Sequence, residues 1–228
     1  MSSQLLEAVL PSSVVVAETR DDHLEVELFP EEELALGRAV DKRRREFVTG
    51  RACARKALAQ LGLPATPVGS GPRGEPLWPP GVVGSITHCD GYRACAVARS
   101  NAVLALGIDA ERDAPVSERV WQDIAHGPEQ ELRVRGAKAR GPHLDALLFS
   151  AKEAIYKAWF PLEQRWLGFD EVLVSIDPAS GTFTARLLGA APHRAGTPLR
   201  DLSGRWASDG DVVVTAVAVA ARSGRARA

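Results

Sequence analysis

Residues 148–160 read LFSAKEAIYKAWF, and residues 106–111 read LGIDAE. Asp109, Glu111 and Glu153 can converge as three hard oxygen ligands for a divalent metal, with Lys152 and Lys157 bracketing the third as fixed positive charge. Carboxylates beside lysines are what a phosphoryl-type transfer needs. The metal neutralises charge developing on a pyrophosphate, and the lysines position or protonate it.

The elements that must hold these residues follow from periodicity. The apolar run over 102–109 reads as a buried strand. Its two-residue alternation sends Asp109 and Glu111 to one face, with Ala110 opposite. Leu144, Leu148, Ala151, Ile155 and Ala158 recur at helical spacing, which predicts a helix over 144–159 closed by Pro161. On that helix Glu153 and Lys157 lie one turn apart, away from the apolar stripe. Plainer readings compete: a surface Glu153–Lys157 pair worth ~0.3–0.5 kcal/mol, a Ser150–Glu153 capping box, or a strand end in a solvated turn.

The wider sequence resembles the Sfp-type 4′-phosphopantetheinyl transferases, in their actinobacterial and enterobactin-synthetase-component-D-like branch. Four blocks in family order carry the likeness: REFVTGRACARKAL (45–58), RGEPLWPPGVVGSITHCDGY (73–92), LGIDAE (106–111) and FSAKEAIYKAWFPL (149–162). The resemblance implies transfer of the 4′-phosphopantetheine arm of coenzyme A (CoA) to a serine of an apo carrier protein, with release of 3′,5′-ADP. It implies Asp109, Glu111 and Glu153 as ligands of Mg²⁺ (or Mn²⁺). Glu153 and Lys157 would share the deprotonation of the serine, and Lys152 and Lys157 would stabilise the phosphates. The middle residue of the D-x-E motif is Ala110 rather than a third acid, so an additional water would complete the metal shell.

The same resemblance makes the other blocks a coenzyme cradle. Arg43, Arg51 and Arg55 would meet the 3′-phosphate, a dianion suited to guanidinium forks. Arg73 precedes the G-x-P-x-W-P turn, and Thr87 and His88 end a strand where a hydroxyl and an imidazole can meet phosphate. The plainer reading of the KRRR run at 42–45 is a solvated face or a weak nucleic-acid patch. That of His88 is a structural histidine. GSGPRGEP (69–76) lacks P-loop spacing, and Trp78 and Tyr92 read as packing residues.

At 228 residues, 45% apolar and 25% charged, the chain is of ordinary globular composition, and its net charge of -1 gives no basic excess for nucleic acid. Cys53, Cys89 and Cys95 show no C-x-x-C spacing and read as reduced thiols of a cytoplasmic protein. No signal peptide is visible, and the apolar stretch 212–221 is too short to span a bilayer. Strands are expected at 14–17, 82–88, 92–98, 102–109, 171–177, 182–188 and 211–220, the 171–177 and 182–188 strands joined by a DPASG turn. Helices are expected at 30–40, 42–61 and 117–133. The segment 64–80 reads as loop, 136–142 as a mobile connection and 222–228 as a frayed tail.

GRACARKA resembles SAKEAIYKA when Arg51 is laid over Lys152 and Lys56 over Lys157. This faint match agrees with the α+β fold the resemblance implies, two similar halves related by a pseudo-twofold. The halves would be 1–106, binding CoA phosphate, and 107–228, binding metal and docking the carrier, with CoA in the cleft between them and the chain working as a monomer. Arg133 to Arg140 is a candidate for receiving an acidic carrier protein. Three alternatives remain: a metal-dependent phosphohydrolase of CoA or nucleotides, a nucleic-acid-binding module centred on Lys42 to Arg55, and an inactive carrier-binding relic.

Overall fold

The computed structural model describes residues 4–22, 26–37, 39–136, 141–189 and 200–221. It divides into two compact units between Leu106 and Gly107, and the chain ends cross over. Residues 4–10 join the second unit, and residues 218–221 join the first.

In the unit beginning at Pro11, three strands form an antiparallel sheet of order β1 (Val14–Thr19), β5 (Tyr92–Arg99), β4 (Val82–Cys89). The register pairs Val14 with Ala98 and Val82 with Arg99. Helix α2 (Asp41–Gln60) packs on β5 and β1 through Cys53, Ala54, Ala57 and Leu58, which are buried with Ala17, Cys95 and Val97. Its small residues let helix and sheet come close. The short helix α1 (Pro30–Leu36) stops before the expected 40, because Gly37, after a last helical bond to Glu33 O, takes a positive φ of 54° that leaves the helical region. Within the expected loop 64–80, β2 (Gly69–Ser70) and β3 (Pro76–Leu77) pair antiparallel.

The other unit is built on a five-stranded sheet of order β6 (Val103–Arg112), β10 (Val212–Ala220), β9 (Asp201–Ser208), β8 (Thr182–Leu187), β7 (Val172–Asp177). Strands β6 and β10 each run across the division at their ends. The DPASG turn joins β7 to β8, with Asp177 accepting from Ala179 N and Ser180 Oγ. Strand β9 has no counterpart among the sequence expectations: DLSGRWAS carries Ser and Gly where a strand pattern wants branched residues. The expected helix 117–133 is broken into α3 (Glu118–Ile124), a 3-10 turn (Gly127–Glu131) and α4 (Leu132–Gly136). The break falls at Ala125 and His126, both extended, and the 3-10 turn restarts at Gly127 (φ 55°) and Pro128, which has no N–H to lose.

Helix α5 runs from Leu144 to Glu163, through Pro161 rather than ending before it. A proline in the last turn forfeits only its own hydrogen bond, and closure falls to Gln164, which donates a last helical N–H to Phe160 O at 2.8 Å and then turns the chain away through a left-handed backbone (φ 53°). Ser150 is therefore helix interior, bonded to Thr215 Oγ1 at 2.9 Å, and the capping-box reading of Ser150–Glu153 falls. Among the described residues no helix is long and apolar enough to cross a membrane. The expected frayed tail and most of the expected mobile connection lie outside the described residues.

Candidate active site and anion pocket

Strand β6 and helix α5 meet at Gly107. A Cβ there would land on the Ala154 carbonyl oxygen and within 2.6 Å of Ala158 N, so the strand lies directly against the helix backbone. Alternation then puts Asp109 and Glu111 on the Gly107 face, while Ile108 and Ala110 are fully buried opposite. Glu153 and Lys157 sit beside Ala154 and Ala158 on α5. Asp109, itself 4% exposed, accepts from Lys157 Nζ at 2.6 Å through Oδ1. The Lys157 ion pair thus runs to the strand, which displaces the surface-pair reading.

Electrostatics tie the four groups together. Glu111 is pushed up to about 8 by burial first and then by the Asp109 charge, with Lys157 opposing and Glu153 adding. Glu153 is also raised, chiefly by burial, with Lys157 opposing and Asp109 adding. Like charges held together out of water disfavour their own ionisation, and a divalent cation would relieve that excess. The donor set, three carboxylates supplying hard oxygens, therefore fits Mg²⁺. Among the described residues no three such side chains are already drawn to one point, the Lys157 ammonium standing on Asp109 instead.

Glu111 carries a pH prediction. The folded protein keeps its proton to about pH 8, whereas an unfolded chain releases it near 4.5. The extra proton stabilises the fold below that window, and its contribution disappears as pH rises through it. The stability of the metal-free protein relative to Glu111→Gln is expected to fall between pH 5 and pH 8 and then level off. Paired melting curves across that range check this; a constant difference would contradict it.

Lys152 is not with this cluster. Its Nζ is fully buried and donates all three protons, to Glu129 Oε2 (2.8 Å), Phe169 O (2.8 Å) and Val172 O (3.0 Å). An ammonium has three donors and no more, so none is left for a phosphate. Glu129, 2% exposed, also accepts from His126 N at 2.9 Å and Val174 N at 2.6 Å. Sequence reasoning missed Glu129. The available signal was an acid directly after Pro128 at the mouth of a broken helix, three residues past the cap.

In the unit beginning at Pro11, a cavity of about 410 Å³ is lined by Arg43, Glu46, Phe47, Arg51, Ser70 and His88, among others. Arg51 is 5% exposed, donates to Gly69 O (3.3 Å) and Ser70 Oγ (3.0 Å), and lies 4.2 Å over the Phe47 ring. Its Nε meets no acceptor among the described residues. Burial lowers its pKa to about 10, with Glu32 opposing, which leaves it charged at neutral pH. Arg43 Nη1 stands 2.9 Å from His88 Nε2. A guanidinium only donates, so Nε2 accepts, and Nδ1 faces Glu46 Oε2 at 3.7 Å.

The other expected cradle residues are placed elsewhere. Thr87 follows strand alternation to the face opposite His88 and is buried. Arg55 pairs with Glu32, donates to Glu27 O at 2.8 Å and lies over the Phe29 ring. Arg73 is exposed at the tip of a turn, outside the cavity lining. Trp78 and Tyr92 are structural, bonded to Gly84 O and Glu18. Arg133 is engaged by Asp145, Glu118 and Val116 O, so its guanidinium is committed within the fold; residues 137–140 of that candidate docking segment lie outside the described residues.

Known proteins match the chain along most of its length. Residues 31–98 match the 4′-phosphopantetheinyl transferase N-terminal domain, and residues 105–215 match the 4′-phosphopantetheinyl transferase superfamily. The chain is 48% identical to 4′-phosphopantetheinyl transferase Svp of Streptomyces mobaraensis, over 97% of this chain and 92% of that protein. It is 45% identical to Npt of Nocardia iowensis (95% and 100%) and 43% identical to PptT of Mycobacterium tuberculosis (93% and 97%). Enterobactin synthase component D of Salmonella typhi is 30% identical over 79% of this chain and 74% of that protein.

Proposed function

The chain belongs to the 4′-phosphopantetheinyl transferase family, and from that premise we propose that it transfers the 4′-phosphopantetheine arm of CoA to a serine of an apo carrier protein, releasing 3′,5′-ADP. The observation that carries this reading is the gathering of Asp109, Glu111, Glu153 and Lys157 where β6 crosses α5. Asp109, Glu111 and Glu153 would hold Mg²⁺, which when bound neutralises charge on the pyrophosphate.

This chain's own groups do the rest. The serine Oγ attacks the phosphorus that carries the pantetheine, a new O–P bond forms, and the bond to the ADP oxygen breaks. Glu153 and Lys157 share the handling of the serine proton. Burial raises the basicity of Glu153, which suits a proton acceptor, and Lys157 adds positive charge at the transferring phosphate. The Arg51 cavity would take the 3′-phosphate, whose oxygens match the guanidinium donor left without an acceptor. Lys152, Arg55, Thr87 and Arg73 are given no direct contact with CoA.

Acceptors are assigned to carrier domains of polyketide, non-ribosomal peptide or siderophore synthetases, the last in line with the enterobactin synthase component named among the relatives. The chain would act as a monomer in the cytoplasm, where its three free thiols stay reduced.

Incubation of the protein with CoA, Mg²⁺ and an apo carrier protein tests the reading by intact mass. The carrier is expected to gain one phosphopantetheinyl group, and EDTA is expected to stop the gain. CoA hydrolysis without modification of any carrier in a panel would replace the transferase with a phosphohydrolase.

A further inference from the structure

The two units repeat one arrangement. In each, a glutamate three residues past the N-cap of a short helix is buried to 2% exposure or less: Glu32 in α1, Glu129 in the 3-10 turn. Each accepts the N–H of its own cap, Phe29 (3.0 Å) or His126 (2.9 Å). Each accepts a second N–H from a distant segment, Val68 (2.9 Å) or Val174 (2.6 Å). Each holds a cation from the long helix, and the spacing from acid to cation is 23 residues in both: Glu32 to Arg55, Glu129 to Lys152. The cations in turn donate to backbone carbonyls, Glu27 O for Arg55 and Phe169 O and Val172 O for Lys152. The equivalent of Lys152 is therefore Arg55, not Arg51 as the sequence overlay has it.

We propose that Glu32 and Arg55 form a positioning pair that sets Arg51 in the anion cavity, as the counterpart of Glu129 and Lys152 in the other unit. The inference rests on the reading of that cavity as the 3′-phosphate site. Glu32 grips three of the segments that build the cavity. Its own helix contributes Ala35 and Leu36 to the wall. Val68, which it holds by the backbone, precedes Gly69 and Ser70, the two groups that orient the Arg51 fork. Arg55, which it holds by the side chain, lies one turn along α2 from Arg51. Releasing the carboxylate frees helix and hairpin to move independently, and the Arg51 donors lose their common frame. A buried ion pair of this kind contributes little net stability, but it fixes which residues meet.

The test is binding of CoA and of dephospho-CoA, which lacks the 3′-phosphate, measured calorimetrically on the full chain. Wild type is expected to prefer CoA. Glu32→Gln is expected to weaken CoA binding by about tenfold, the loss of roughly one charge-assisted hydrogen bond. Dephospho-CoA affinity is expected to stay within about twofold, because the variant's effect is confined to the phosphate contact. Arg55→Gln should match Glu32→Gln, and Arg55→Lys, which keeps a charge for Glu32, should recover most of the preference. Glu129→Gln should leave the preference intact. If Glu32→Gln does not fold, the Arg55 pair of variants carries the comparison. A role confined to stability would lower melting temperature without moving the ratio of the two affinities. Equal loss for both ligands, or a preserved preference in Glu32→Gln and Arg55→Gln, overturns the proposal. A wild type that binds both ligands alike overturns the cavity assignment itself and the positioning role with it.

Discussion

Asp109→Ala and Glu153→Ala are each expected to cut the rate of carrier modification by roughly 10²- to 10³-fold or more, the scale seen when one charge-stabilising group is removed from a preorganised site. Neither should unfold the protein. Asp109 accepts from Lys157, whose side chain is 28% exposed and can turn to water, so the lost pair costs little. Glu111 is pushed up to about 8 by burial first, and removing a carboxylate relieves the like-charge part that adds to it. Melting temperature is therefore expected to hold or rise while activity disappears. Initial rates measured beside a melting curve separate these effects. Full activity in either folded variant would remove the metal-site assignment.

Gly107→Ala is the second large expectation, and here stability and activity should fall together. The added methyl would sit on the Ala154 carbonyl oxygen and against Ala158 N, both rigid helix backbone. The strand must back away from α5, at a cost of about 3 kcal/mol, the upper range for overpacking. For a chain of this size that lowers the melting temperature by roughly 6–12 °C. The same retreat carries Asp109 away from Lys157 and Glu153, and a displacement near 1 Å can cost about 10²-fold in rate. A Gly107→Ala protein with native melting temperature and native rate would show that the strand-to-helix approach does not position the site.

Much of this was legible in the sequence. The D-x-E spacing on an apolar strand put two carboxylates on one face, and the E-x-x-x-K spacing put Glu153 and Lys157 one turn apart. Both patterns are local, set by the two-residue and 3.6-residue repeats of the backbone. Arg51 and His88 were named from their blocks and Arg43 from the KRRR run just ahead of the first, and all three line one cavity. Strand β9 escaped notice because a sheet tolerates Ser and Gly when neighbours on both sides supply the pairing.

The sequence by itself determined the chemical inventory: which acids and bases exist, on which kind of element, at what local spacing. Only the tertiary structure decided which charges are available to a ligand. Lys152 and Lys157 belong to the same short run, and Arg51 and Arg55 to another, yet one member of each pair is consumed by a buried glutamate 23 residues upstream. Local repeats say that such neighbours point in different directions. They do not say which direction leads to the core, because that depends on the distant segment packed there. Glu32 and Glu129 mattered only once folding removed them from water, where a carboxylate must find partners and takes the nearest cation as one of them.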